Sequence, residues 1–326
     1  MECVHLLTAA ANTPLQPLYH SLFDYYQLQV WIKRDDMNHP VIQGNKWHKL
    51  RFNLQYAKSQ GMQTLITFGG AYSNHIAATA AAGKAFGFKT VGIIRGEELA
   101  KRPQNWSPTL QTAYANGMRF QFIDRQTYRL KNTQDFLKQL QHHHPHSLML
   151  PEGGSNERAM LGFQSVIEQL HQQCPGWSHL FTAVGTGGTL AGLAKMAALN
   201  QPSHRQRLLG VATLNQADFL QKTIRQLSGF QSHTDQHKQV IWQLLTQYSG
   251  GGYAKTTDAC LADQHWFEGT FGILLDPIYT NKMVHGFLEE MRQQRIPPNA
   301  KVILYHSGGL QGRSEEDGQN NSVKTD

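Results

Sequence analysis

The chain has 326 residues, 40% hydrophobic and 16% charged, enough apolar material for one large or two moderate globular domains with a real core. Its net charge of +7, with histidine neutral, is spread thinly, which argues against a nucleic-acid-binding stripe and for a general preference for anionic ligands. No stretch approaches the roughly 18 apolar residues of a membrane span, and no basic-then-apolar signal peptide opens the chain.

Residues 1–20 read as an irregular arm whose end, with Pro14 and Pro17, is extended. A strand over Gln29 to Lys33 follows, then a polar loop leading into Gly44-Asn45-Lys46 and a helix from Trp47 to Gln60. A lysine at such a junction can be held with its amine facing a cavity, lose its proton there and form a Schiff base with an aldehyde cofactor. Taken blind, a lysine at a helix start is far more often a solvated surface residue.

From residue 61 short apolar strands alternate with helices. The strands are Thr64 to Phe68, Thr90 to Ile94, Arg119 to Ile123 and Leu148 to Leu150; the helices are Asn74 to Phe86, Thr109 to Ala115 and Asp135 to Gln141. The histidines 142–144 and His146 read as a solvated loop before a strand, because no cysteine or acidic partner stands at ligand spacing. The rhythm resumes with a helix over Arg158 to Gln172, a strand over Leu180 to Val184, a helix over Thr189 to Leu199 and a strand over Leu208 to Ala212. Helices about 216–228 and 236–248 come next, and Lys301 to Tyr305 is a last strand.

This alternation predicts an α/β fold: two open twisted, mainly parallel sheets flanked by helices, with the active site in the cleft between a larger and a smaller domain. Residues 1–48 and 158–312 are assigned to the larger domain and 49–157 to the smaller, with 313–326 a polar, disordered tail. Cys3, Cys174 and Cys260 form no Cys-x-x-Cys pair and fit no disulfide framework, so a cytoplasmic location is expected.

Several turns carry residues suited to chemistry. Gly185-Thr186-Gly187-Gly188-Thr189 joins a strand to a helix, so its N–H groups form an anion cradle. Leu190 stands where a dinucleotide fingerprint wants glycine, and the Gly-Lys-Ser/Thr of a P-loop is absent; a single phosphate ester fits better, a plain glycine turn being the alternative. In Gly69-Gly70-Ala71-Tyr72-Ser73-Asn74-His75, Ser73 and Asn74 are helix-capping types. The same N–H groups suit a substrate carboxylate, with Asn74 reaching a cofactor oxygen and Ser73 available as a hydroxyl acid or base. Tyr279, after Asp276-Pro277, and Tyr253, behind Gly250-Gly251-Gly252, are candidates for stacking on a ring or for packing in the core.

Together these residues resemble the 1-aminocyclopropane-1-carboxylate deaminase and D-cysteine desulfhydrase family, pyridoxal-phosphate enzymes of the fold type shared with the tryptophan synthase β chain. The matching residues are Gly44-Asn45-Lys46 with Lys49-Leu50, Ser73-Asn74-His75, Gly153-Gly154-Ser155-Asn156, and Gly187-Gly188-Thr189 with Ala191-Gly192. Leu275-Asp276-Pro277-Ile278-Tyr279-Thr280 with Lys282, and Ser307-Gly308-Gly309, complete the set, in the family's order from about residue 12 to 312.

The resemblance implies pyridoxal 5'-phosphate as cofactor, Lys46 as its Schiff-base lysine, Asn74 on its phenolic oxygen, and Gly185, Thr186, Gly187, Gly188 and Thr189 around its phosphate. It implies Ser73, Asn74 and His75 around the substrate, Tyr279 against the ring, Tyr253 near the substrate, and Thr280 or Ser307 at the ring nitrogen. The deaminase has a glutamate where Thr280 stands, so the hydroxyl points to β-elimination from a small amino acid, giving a 2-keto acid, ammonia and sulfide. The alternatives are 1-aminocyclopropane-1-carboxylate deamination to 2-oxobutanoate, another lyase or racemase activity, or a small-molecule binding protein without chemistry. The tyrosine loop departs from the family's Gly-x-Pro-Asn, continuing Ala254-Lys255-Thr256-Thr257. The expected partners are a small amino acid and a second copy of the chain in a homodimer, with neither nucleic acid nor membrane, and no metal.

Overall fold

A computed structural model describes residues 11–230 and 239–313. Ten strands are present among them: β1 Leu15–Leu18, β2 Gln29–Lys33, β3 Thr64–Gly69, β4 Lys89–Arg95, β5 Arg119–Ile123, β6 Ser147–Leu150, β7 His179–Val184, β8 Gln206–Ala212, β9 Val240–Leu245 and β10 Lys301–Tyr305. They form a six-stranded sheet in the order β1-β2-β10-β7-β8-β9 and a four-stranded sheet in the order β5-β4-β3-β6. Every pairing is parallel except β1 with β2, where Leu15 faces Lys33 and Leu18 faces Val30.

Parallel strands are covered on both faces, so successive side chains of one strand feed different cores. On β10, Ile303 and Tyr305 pack with Trp177, Phe163 and Leu190 on one side of the large sheet. Val302 and Leu304 pack with Phe181, Phe287 and Leu275 on the other. In the small sheet Leu65 and Leu148 point to one core and Ile66 and Ile93 to the opposite one. Truncating such a residue, for instance Ile303→Ala, costs about 2–5 kcal/mol, because the rigid sheet leaves a cavity behind.

The structure corrects several expectations. Residues 240–245 of the helix expected over 236–248 form β9, and residues 236–238 lie outside the described residues. The β-branched and aromatic content of Val240, Ile241 and Trp242, paired to β8, outweighs the apparent helical spacing. The helix expected over Arg158 to Gln172 is split into Glu157–Leu161 and Gln164–Gln173. The junction falls at Gly162, where a Cβ would meet the His48 carbonyl oxygen at 1.9 Å: the chain passes directly against the Lys46 helix. The histidine run is not a loop throughout, since His142 and His143 form the last turn of helix Gln134–His143.

The irregular arm contains β1, and a helix over Asp258–Phe271 was not anticipated. Cys3 and residues 314–326 lie outside the described residues. Arg313, placed at the head of the tail, is anchored at 2.6 Å to Glu268. Cys174 and Cys260 are buried free thiols. Among the described residues no helix is long and apolar enough to cross a membrane.

Candidate active site

The carboxyl ends of both sheets open onto one cleft of about 590 Å³. Its lining brings together Lys46, Ser73, Asn74, His75, Gly185, Thr186, Gly187, Thr189, Tyr253, Tyr279 and Ser307, residues up to 261 positions apart (Lys46 to Ser307). Thr280 is set apart: fully buried, its hydroxyl accepts from the Asp276 N–H at 2.6 Å and serves the start of its own helix. Gly188 is the first residue of helix Gly188–Leu199, behind the turn.

Lys46 is the second residue of helix Asn45–Ser59. The helix begins two residues earlier than its apolar spacing suggests, because Gly44 takes φ 67° and lies against β10's exit, where a Cβ would meet the Ser307 carbonyl oxygen at 1.8 Å. Beneath that turn Asp35 is fully enclosed. Its carboxylate accepts from Thr13 and Tyr305 hydroxyls at 2.6 Å each and pairs with His48 at 2.7 Å. Burial pushes the Asp35 carboxyl up, but the His48 charge and these hydrogen bonds outweigh it and hold the group below its usual range. The Gly44 N–H donates to the Asp35 carbonyl at 2.9 Å, so the network fixes the turn that aims Lys46.

The Lys46 amine donates to Asn45 Oδ1 at 3.1 Å. Burial lowers its pKa to about 8, with the charge of Asp276 acting in the opposite direction. An amine in that range is partly unprotonated near neutral pH, the state a nucleophile or a general base requires.

Asp276 faces it from the turn before helix Thr280–Arg292. Its carboxylate accepts from the Ile278 N–H at 3.0 Å, from the Tyr279 N–H, and from Asn74 Nδ2 at 3.2 Å. Burial raises its pKa to about 6 despite those donors. Asn74 Oδ1 in turn accepts from Gln311 at 2.8 Å. Tyr279 lies with its ring edge against Gly185 and its hydroxyl 3.5 Å from that of Tyr253, and burial raises both phenols, Tyr253 to about 12. Lys282, one turn into the helix, donates to the Gly252 carbonyl at 2.6 Å and so ties down the loop that carries Tyr253.

At the other end stands the glycine turn. Asn45 Nδ2 donates to Thr189 Oγ1 at 2.7 Å, and Ser155 Oγ meets Thr186 Oγ1 at 3.0 Å. Lys49 projects into the same place, donating to the Gly153 carbonyl at 3.1 Å and to Ser155 at 3.2 Å. Burial, and then the neighbouring Lys46, lower the Lys49 pKa well below its usual value. His75 is enclosed with neither ring nitrogen hydrogen-bonded, and burial keeps it neutral.

The N–H groups of a glycine turn that opens a helix, the hydroxyls of Thr186 and Thr189 and an enclosed amine with no carboxylate on it are the donor set a phosphate dianion requires. The residues present therefore fit pyridoxal phosphate: a phosphate cradle at one end and a desolvated amine for its aldehyde at the other. Lys49 and Asp276 carried no assigned role in the sequence reading. Lys49 was legible, since it lies three residues from Lys46 and shares its helix face; Asp276 read only as a turn signal.

Residues 6–308 match the family described as pyridoxal-phosphate dependent enzyme, and the chain belongs to it. A D-cysteine desulfhydrase of Klebsiella pneumoniae (strain 342) is 28% identical over 306 residues, covering 92% of each chain. A Thermotoga maritima protein, provisionally named a 1-aminocyclopropane-1-carboxylate deaminase, is 29% identical over 307 residues, covering 92% of this chain and 94% of that one. Among solved structures, one of an ACC deaminase homologue superposes with a TM-score of 0.75 at 25% identity, covering 98% of both chains. A hydrogen sulfide-producing enzyme from Fusobacterium nucleatum shares the fold, with a TM-score of 0.64 at 14% identity, covering 95% of this chain and 98% of that one.

Proposed function

We propose that this enzyme catalyses β-elimination and deamination of a small amino acid in the manner of a D-cysteine desulfhydrase, releasing a 2-keto acid, ammonia and, from cysteine, sulfide. The observation that carries the reading is the polar inventory of the cleft. Among the described residues the one carboxylate lining it is Glu152, occupied by Tyr128 at 2.9 Å and by Lys131 at 3.3 Å, while the buried Asp276 carboxylate beside Lys46 is taken up by the Ile278 and Tyr279 N–H groups and by Asn74. We assign the ring nitrogen to the hydroxyl of Ser307, which follows β10 and lines the cleft beside Lys46. A hydroxyl does not hold a pyridinium proton as a carboxylate does, and elimination, in which a leaving group takes the electrons, can run on the weaker sink.

When bound, the cofactor supplies that sink for the electrons of the substrate Cα–H bond. In this reading the 185–189 turn and Lys49 hold its phosphate, Asn74 its phenolic oxygen, and Tyr279 one ring face. Ser73 and the N–H groups about it bind the substrate carboxylate, with His75 behind them. Lys46, or the Ser73 hydroxyl, takes the α-proton, and Tyr253 approaches the leaving group. The larger domain is taken as 1–48 and 158–312 and the smaller as 49–157, in line with the strand membership of the two sheets. We extend the reading to a homodimer acting in the cytoplasm, on the family resemblance and the cysteine usage. The 28% identity to a D-cysteine desulfhydrase supports the substrate class.

The test is to incubate the purified holoenzyme with D-cysteine and measure sulfide and pyruvate. Release of both supports the reading. Silence with D-cysteine, L-cysteine and both isomers of β-chloroalanine overturns it, and 2-oxobutanoate from 1-aminocyclopropane-1-carboxylate redirects it to ring opening.

A further inference from the structure

Arg95 is the last residue of β4, at the carboxyl end of the small sheet, beside the strand that delivers Ser73. Its guanidinium enters the same cleft as Lys46. Gly70 leaves it room, since a Cβ there would stand 3.3 Å from Arg95 Nη2. The guanidinium carbon lies 5.7 Å from the centre of the Tyr128 ring, and its charge opposes the upward push of burial on the Tyr253 hydroxyl. Arg95 is thus on the substrate side of the cleft, between the Gly69–His75 turn and the Tyr253 loop.

Two cations stand at this mouth, and their charges are balanced differently. Lys131, 4.7 Å from the Tyr128 ring centre, is paired with Glu152 at 3.3 Å. Glu152 also accepts from the Tyr128 hydroxyl at 2.9 Å. Among the described residues Arg95 has no carboxylate partner and no side-chain hydrogen bond. A fork of guanidinium donors over an aromatic ring, open to a cleft and without a carboxylate, is a receptor for a planar or tetrahedral oxyanion. The α-carboxylate already has the N–H groups around Ser73 in the proposed reading.

We propose that Arg95 is a specificity-determining residue, and that the preferred substrate is an amino acid carrying a second anionic group on its side chain, as a sulfate, sulfonate or phosphate ester does. This deepens the β-elimination reading and rests on it. With serine O-sulfate the chemistry balances: the α-proton is removed, the Cα–H electrons form the Cα–Cβ double bond, and the Cβ–O bond breaks with its electron pair leaving on sulfate. Addition of one water then gives pyruvate and ammonia.

Two measurements on the holoenzyme test this. In the first, pyruvate release gives kcat/KM for serine O-sulfate and for β-chloroalanine of the same configuration, in wild type and in the Arg95→Gln and Arg95→Lys variants. The expected result is a wild-type preference for the sulfate ester that falls about tenfold or more in Arg95→Gln, through KM rather than kcat, and is partly restored in Arg95→Lys. A preference that does not move in Arg95→Gln overturns the proposal. The second, calorimetric titration with serine O-sulfate and with serine, needs no turnover: the sulfate ester binds at least tenfold more tightly, and that margin disappears in Arg95→Gln. Equal affinities overturn the proposal even if the enzyme eliminates chloride, whereas loss of elimination with the binding margin intact overturns only the reaction assigned to the site.

Discussion

Asp276 and Asn74, 202 positions apart in sequence, are joined side chain to side chain at 3.2 Å across the cleft. The same Asp276 carboxylate caps the turn that carries Tyr279. One buried charge therefore holds together residues delivered by both sheets. Its folded pKa of about 6 lies above the unfolded value near 3.8, so its ionisation costs stability at every pH above about 6, and that cost vanishes as the pH falls towards 3.8. At 1.36 kcal/mol for each tenfold change the full cost is about 3 kcal/mol. Asp276→Asn is expected to raise unfolding stability at pH 8 by about 1–3 kcal/mol while reducing turnover at least tenfold. Urea titrations at pH 8 and pH 5 check it: the gain must shrink at the lower pH.

Lys46 should betray its environment by its reactivity. In cofactor-free protein its modification by an amine-directed reagent, mapped by mass spectrometry, is expected to rise with pH and level off above about 8. Exposed lysines keep gaining towards their ordinary value of about 10.4. A Lys46 midpoint near 10 would show that the amine is not desolvated. In the holoprotein, borohydride reduction should leave a pyridoxyl adduct on Lys46 that Lys46→Ala abolishes.

The Asp35 cluster supports the turn that carries Lys46 from beneath. Its depressed pKa contributes stability that is present above the unfolded carboxyl range and lost as the pH falls through the folded value. Asp35→Asn leaves His48, Thr13 and Tyr305 without their common acceptor charge and is expected to destabilise the fold by about 3–5 kcal/mol. Denaturant unfolding measures it, and a change below about 1 kcal/mol would show that the network carries little.

Lys282 offers a test of the tyrosine loop. Its buried amine reaches the carbonyls of Gly252 at 2.6 Å and Thr213 at 3.3 Å. Lys282→Met keeps the bulk but loses both bonds, so hydrogen exchange over 250–255 is expected to accelerate and kcat/KM to fall about tenfold, with the adduct at Lys46 retained. Unchanged exchange would remove Lys282 from the site's support.

Local signals were strong where one element supplies both the pattern and its cause. The strand-turn-helix units at Gly69–His75 and Gly185–Thr189 are written in adjacent residues, because an apolar strand, a glycine turn and a capping residue each act over a few positions. Lys46 at a helix start was legible for the same reason. Partnerships made by folding were not. Nothing near Val240 announces β8 as its neighbour, and nothing near Gly162 announces the carbonyl of His48 that lies against it. Asp276 reads as half of an Asp-Pro turn until the fold sets Asn74 and Lys46 beside it, and Thr280 reads as a site residue until its hydroxyl is found on the Asp276 backbone.

The amino-acid sequence by itself determined the α/β alternation, the lysine at a helix start and the glycine turn between strand and helix, since these depend on short-range sterics and on periodic apolar spacing. Only the tertiary structure decided which charges meet in the cleft. Burial and distance, which set the state of Lys46, Lys49 and Asp276, come from segments that lie far apart along the chain.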